Sequence, residues 1–509
     1  MMKRLLALVL CLCFALGGCA QAETPQHTEE GGSVAPVVQD EQPAAAESFE
    51  KLALRLAALP ELPEEPDESA FWAELDKLDY DKLGDEAYNA AYQALWEEFS
   101  AQQSAYYEAV QTLRGEGVDA ALMPALVDYT LRTAQQIFSG ATEKNVVYSP
   151  ANLYLALCML VETTDGDSRA QLLELLGLDS VEDARSAANA LWRTLYKDGA
   201  DGKTLLANSI WLNEQFDYHE GTVDTLAQDY FASTFRAPMG DQATDAAIAE
   251  WINENTNHLL ADAAAALQTK PETLMMLIST LYFKGTWSDQ FEEYNTSEDV
   301  FTAANGEEQK IDFMHKTENG NYYRGGLSVD FADGTGADYG FTVASLPFRD
   351  GMSMWFLLPD EGTTLTDTIS AEFPRFVRAG GLETPDPGFE QGYADIHWSV
   401  PKFDVDSDLD LIPALEALGV TDVFADGVAD FSPLTDLDAV VSAVKHAARV
   451  KVDEEGCEAA AFTAIMAEAT AMMPDDMPVI EMNLNRPFGF LITGADGLPL
   501  FTGVINTME

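Results

Sequence analysis

Basic residues are the scarcest resource of this 509-residue chain: 28 Lys and Arg stand against 86 Asp and Glu, for a formal charge of -58. Such a chain repels nucleic acid and anionic headgroups, so neither is expected to be bound through a basic face. Cysteine is scarce too, with five in all, and Cys11, Cys13 and Cys19 lie in the first nineteen residues. That leaves Cys158 and Cys457, too few for a disulfide framework, and both are expected as free thiols. The six histidines are scattered, and no HExxH, GxSxG or phosphate-loop pattern occurs, so neither metal, cofactor nor enzymatic turnover is expected. No repeat period is visible, and past the N-terminus no apolar run is long enough to cross a bilayer.

What is present is an ordinary globular composition, 47% hydrophobic and 10% aromatic, with enough apolar surface for a large core. The first residues pair Lys3 and Arg4 with an apolar run from Leu5 to Leu16, which reads as an export signal. Its end, Leu16-Gly17-Gly18-Cys19, resembles the lipobox of bacterial lipoproteins. That likeness implies a signal peptide over 1–18, acylation of Cys19 and residence on the outer face of the envelope, with the lipid as sole membrane contact. Residues 19–47 are rich in Ala, Glu, Gln and Pro without apolar period, the pattern of a disordered tether with a reach of roughly 30 Å.

From residue 48 to 117 the pattern turns helical, clearest in the stripe Tyr88, Tyr92, Leu95, Phe99, Tyr106, Val110 and Leu113, which predicts a core-facing surface. Further helices are predicted over Leu122–Phe138, Ser168–Leu176, Ala246–Leu260 and Asp408–Leu418. Strands are predicted over Leu205–Leu212, Leu274–Phe283, Thr342–Pro347, Met352–Leu358 and Phe488–Thr493. The mixture implies an α+β domain.

Near the C-terminus, residues 452 to 473 contain no proline and residues 452 to 485 no Lys or Arg. Cys457 to Ala461 are small or short apart from Glu458, so this stretch could join a sheet as a new strand. Strand alternation would then put Cys457, Ala459, Ala461, Thr463 and Ile465 on one face and Glu458, Ala460, Phe462, Ala464 and Met466 on the other.

Six ordered motifs carry a family resemblance: NVVYSPANLYLAL (145–157), TLYFKGTW (280–287), SVPKFDVDSDLDL (399–411), LGVTDVF with ADFS (418–432), EEGCEAAA (454–461) and NRPFGFLI with LFTGVI (485–505). Together they make residues 118–509 resemble a serpin, with the reactive loop at about 454–483. The resemblance implies a large central β-sheet, additional sheets, surrounding helices and an exposed reactive loop, preceded here by the helical extension.

It also implies suicide inhibition of serine proteases by a monomer. The hinge would be Glu454, Glu455, Gly456, Cys457, Glu458, Ala459, Ala460 and Ala461, with Cys457 where threonine is usual. The family's spacing places the acylated residue at Thr470 and the leaving side at Ala471; their small size suits elastase-like or subtilisin-like pockets. Ser149, Asn152, Ser279 and His446 match the family's shutter under the sheet, with one amide and one hydroxyl exchanged between Asn152 and Ser279. Trp287, Lys402 and Glu454 match its breach at the top of the sheet; a further lysine usual there is aligned with Ala447. A non-inhibitory binding protein on the same fold is the alternative, against which the alanines of the hinge argue.

Overall fold

The computed structural model describes residues 49–60, 65–115, 117–118, 122–199, 202–330, 336–366, 368–369, 390–441, 443–457 and 477–508. Residues 45–509 form one compact unit that takes in both the extension and the α+β domain.

Two sheets organise it. Among the described residues the first has eight strands, and its spatial order is β1 (Ala53–Arg55), β5 (Ala232–Ala237), β4 (Gly202–Asn213), β6 (Met275–Thr286), β14 (Gly456–Cys457), β13 (Lys445–Val452) and β12 (Phe403–Asp410), with β3 (Lys197–Asp198) paired to β4. The second runs β15 (Val479–Asn483), β11 (Glu390–Pro401), β8 (Glu308–Asp330), β9 (Gly336–Pro347), β10 (Ser353–Pro359), β16 (Phe488–Thr493), β17 (Pro499–Ile505) and β2 (Val146–Tyr148), with β7 (Thr296–Thr302) on β8.

Helix α5 (Pro150–Thr163) lies in the core beside β6 and β17, and nearly every residue of it is buried. A helix apolar on all sides can only be internal. Its start is set locally: the Ser149 hydroxyl accepts from Asn152 N–H and Pro150 occupies the first turn, where no N–H is required. Helices α4 (Leu122–Phe138), α6 (Gly166–Leu176) and α7 (Val181–Leu195) surround it, and α9 (Gln242–Asn255) packs Ile248 and Trp251 onto Trp211 and Phe235 of the first sheet. The predicted strands all form, and three of the predicted helices form within a few residues. The fourth starts late: Asp408–Asp410 belong to β12, whose period-two burial wins, and the helix covers Ile412–Ala417.

The extension is less uniformly helical than its pattern suggested. Helix α3 (Asp85–Arg114) does bury Phe99 and Leu113, but Tyr92 of the stripe is exposed. Phe49–Leu52 form a 3-10 turn, and Ala53–Arg55 pair with β5 rather than continuing a helix. Tertiary contacts explain the strand: Phe49 packs edge-on against Phe235 at 5.9 Å, Ala57 N–H donates to Ser233 Oγ at 3.1 Å, and Arg55 pairs with Asp224. Short segments take the conformation their docking surface supplies.

Candidate functional site

The hinge enters the sheet. Gly456 pairs with Thr286 and Cys457 with Gly285 on one side, while Cys457 pairs with Val452 on the other. Strand β14 thus holds β6 and β13 two strand spacings apart, and these two do not pair with each other among the described residues. Cys457, expected within the exposed reactive loop, is a strand residue only 3% exposed, on a face buried as the alternation requires. It and Cys158 are both free thiols. Glycine is needed at 456 because a Cβ there would stand 2.0 Å from the Gly285 carbonyl oxygen.

Around this point Trp287, Lys402 and Glu454 come together. Lys402 Nζ meets Glu454 Oε2 at 2.7 Å, and Thr296 Oγ1 donates to Glu454 Oε1 at 2.8 Å. Burial pushes the Glu454 carboxyl up, but the Lys402 and Thr296 donors outweigh it and leave it below the usual glutamate range. The hydrogen bond from Lys402 holds that ammonium above the usual lysine range. Trp287 Nε1 donates to the Asp453 carbonyl at 3.0 Å, its backbone N–H donates to the Glu455 carbonyl at 3.0 Å, and its ring stacks on Phe348 at 4.5 Å. The turn Asp453–Glu455 is therefore fastened by both the ring N–H and the backbone N–H of Trp287.

Ala447 is not part of this cluster. It pairs with Asp408, far down β13 and next to His446, whereas Lys451 lies at the cluster and reaches Asp453 at 3.5 Å.

Lower in the sheet, Ser149, Asn152, Ser279 and His446 also converge. His446 is buried and its Nε2 accepts from Ser149 N–H at 3.0 Å, while Ser149 Oγ donates to the Leu500 carbonyl at 2.6 Å. Asn152 Nδ2 donates to the Ser279 carbonyl at 2.9 Å, and the Ser279 hydroxyl donates to Asn152 Oδ1. The exchanged amide and hydroxyl are direct partners, so either arrangement satisfies both groups. Desolvation lowers the His446 pKa to about 4, so the ring is neutral at pH 7, as its acceptor role demands.

Cys19, Glu458, Ala459, Ala460, Ala461, Thr470 and Ala471 lie outside the described residues, as do the signal and tether. Several described residues were missed from sequence. Thr296 and Gln290, whose Nε2 donates to the Glu455 carbonyl at 3.2 Å, sit in stretches with no pattern of their own. Arg449, bidentate to Asp404 at 2.7 Å, reaches across β13 to the Leu259 carbonyl at 3.3 Å and so ties the segment after α9 to the sheet.

Residues 124–507 match the family model described as Serpin (serine protease inhibitor). Serpin-Z1C of Triticum aestivum is 29% identical over 402 residues, covering 75% of this chain and 95% of the relative. Leukocyte elastase inhibitor A of Rattus norvegicus is 27% identical over 376 residues, covering 72% and 93%. The crystal structure of the thermophilic serpin tengpin in its native state superposes with a TM-score of 0.63 at 25% identity, covering 77% of this chain and 95% of that one. The chain belongs to the serpin family, and its α+β architecture is the serpin fold.

Proposed function

We propose that this serpin inhibits serine proteases as a suicide substrate. The observation that carries the reading is β14: the first residues of the hinge already occupy a strand position between β6 and β13, with small residues following in sequence. A protease serine attacks the carbonyl of Thr470, the peptide nitrogen of Ala471 leaves with a proton, and an ester joins Thr470 to the enzyme. The freed loop then extends β14 downward as a full strand, with Ala459 and Ala461 on the face that Cys457 buries. Insertion displaces and distorts the attached enzyme before water can cleave the ester. The inhibitor is consumed in a single turn and needs no cofactor.

The small residues Ala469, Thr470 and Ala471 favour elastase-like or subtilisin-like enzymes, and the name of the rat relative, an elastase inhibitor, supports the same class. The breach (Trp287, Lys402, Glu454) would latch the hinge, and the shutter (Ser149, Asn152, Ser279, His446) would hold the strands that part. Mixing the protein with an elastase and running a denaturing gel tests the reading. A covalent band is the expected result, and clean loop cleavage without one refutes it.

The basic start and the likeness to a lipobox support a mature chain held on the outer face of the envelope by acylation at Cys19. Cys19→Ala should release the protein from the membrane fraction or block its processing, and an unchanged membrane fraction refutes the anchor.

A further inference from the structure

The helical extension leaves large aromatic side chains in solvent. Helix α3 buries only Phe99 and Leu113 of its 30 residues, and α1 (Glu68–Leu75) supplies Phe71, which stacks on Phe99 at 4.7 Å. Trp72 and Trp96 adjoin Phe71 at 5.2 and 6.0 Å yet stay 43% and 48% exposed, and Tyr107 is 60% exposed. Tyr92, Trp96 and Tyr107 stand four and eleven residues apart, so at about 100° per residue they share one flank of α3. Glu86, Glu97 and Glu108 are all exposed and recur every eleven residues, which sets them in a row beside the aromatics. An apolar patch rimmed by charge marks an interaction surface.

Charge selects the occupant. Residues 65–115 hold twelve Asp and Glu against three Lys and Arg, a net charge of -9, and Lys77 and Lys82 are already paired with Glu74 and Asp79. A second copy of this arm, an anionic headgroup or nucleic acid would all meet like charge. A Lys or Arg instead gains twice, from the face of an indole or phenol ring and from the carboxylate next to it. The surface therefore fits a basic protein face.

The root of the arm stands at the hinge end of the first sheet. Where the chain enters, Glu65 Oε2 lies against Gly199, 2.5 Å from the place a Cβ would take. Where it leaves, the Leu113 carbonyl accepts from Arg193 Nη1 at 3.3 Å, one helical turn before Lys197 of β3. Gly199 N–H donates to the Gly202 carbonyl at 3.1 Å, and Gly202 pairs with Gly285, the partner of Cys457. Two to three strand spacings, about 10–15 Å, thus separate the root from the residue after which the reactive loop begins. A protease domain of roughly 230 residues is about 45 Å across, so one engaged on that loop overhangs the arm.

We propose that the exposed flank of α1 and α3 is a second docking face for the target protease, and that it selects proteases with a basic surface. The proposal rests on the inhibitory reading above and adds to it the charge class of the target. Aromatic contacts would orient the encounter, and the carboxylate row would speed it.

Two variants test this, Trp72→Ser/Trp96→Ser/Tyr107→Ser and Glu86→Gln/Glu97→Gln/Glu108→Gln, the second made only of exposed, near-isosteric changes. Each is mixed with a basic and with an acidic elastase-like protease, and the rate of inhibition is followed. In about 50 mM salt both variants should react at least about tenfold more slowly than wild type with the basic enzyme. With the acidic enzyme the rate should not change, and the inhibitor needed per protease should stay the same with both. Raising salt to about 0.5 M should close most of the gap for the glutamine variant. Unchanged rates with the basic enzyme, or an equal loss with both enzymes, overturn the proposal. Calorimetry with a basic protease whose active serine is alanine separates the two readings. If no covalent complex forms with active enzyme while this inactive one still binds wild type more tightly than either variant, the inhibitory reading fails and the docking face stands. A protein that sediments alone as a dimer, and that Trp96→Ser dissociates, would give the face to a second copy and overturn the proposal.

Discussion

A methyl group at Gly456 has no place to go. Its Cβ would meet the Gly285 carbonyl oxygen at 2.0 Å and Thr286 Cα at 3.0 Å, both backbone atoms of β6 held in a ladder with β4. Gly456→Ala must therefore push β14 out from between β6 and β13. The displaced strand loses its pairing through Cys457 to Gly285 and Val452, and weakens the 3.0 Å bonds of Asp453 N–H to Gly456 and of Trp287 N–H to Glu455. Two or three backbone hydrogen bonds at about 1 kcal/mol each, with about 1 kcal/mol for re-exposing the Cys457 side chain, make some 3–4 kcal/mol against seating the first inserted residues. At about 1.4 kcal/mol per tenfold, insertion slows by up to about two to three orders of magnitude, and ester hydrolysis overtakes it. The assay is titration of a fixed amount of elastase with increasing inhibitor, alongside a denaturing gel. The variant should need at least tenfold more inhibitor per enzyme and accumulate as cleaved chain. A Gly456→Ala protein with native circular dichroism and wild-type stoichiometry would refute the claim that insertion begins from this strand.

Three further outcomes follow from the geometry. The folded pKa of His446 near 4 lies below the ordinary 6.5, so as pH falls the unfolded chain takes the proton first. The stabilisation is complete above pH 6.5 and is lost between 6.5 and 4, by about 3 kcal/mol in all; His446→Gln should flatten urea midpoints across that window, and an unchanged slope refutes the assignment. Asn152→Ser and Ser279→Asn should each destabilise the protein, while the double variant recovers most of the loss, with a coupling of about 1–2 kcal/mol in a double-mutant cycle; additive losses would show that the two side chains act independently. Thr470→Arg should gain trypsin inhibition that the wild type lacks, with mass spectrometry of the released peptide locating the cut after residue 470; a wild-type cut outside 468–473 refutes the assigned bond.

The β-strands of the domain were legible because most are long and apolar, as with Met275–Thr286, or alternate strictly, as with Phe403–Asp410. Of the proposed shutter and breach residues, Ser149, Asn152, Trp287, Lys402 and Glu454 could be named from motif positions, whereas Ser279 and His446 fall outside those motifs and were named only from the wider resemblance. Local pattern failed where a distant surface decides. Ala53–Arg55 carry no strand signal and become one only because β5 offers its hydrogen bonds, and Ala447 was misplaced because alignment gives order along β13 but not height in the sheet. Thr296 reaches Glu454 from 158 residues away, a contact that no local spacing announces.

The two outermost strands of the first sheet bear on self-association. A strand with one side open is a template on which another chain can add itself, and the proposed loop insertion, by parting the sheet, would add to that hazard. Here β1 is only three residues long and carries Arg55 paired to Asp224, so it offers a partner little length to grip. At the opposite margin β12 presents Asp404, Asp406, Asp408 and Asp410 on one exposed face; Arg449 and Lys445 of β13 pair with the first and last, and a second copy laid alongside would set Asp406 and Asp408 against like charges. Part of the acidic excess that first marked this chain thus stands where it would keep neighbouring molecules from zipping together.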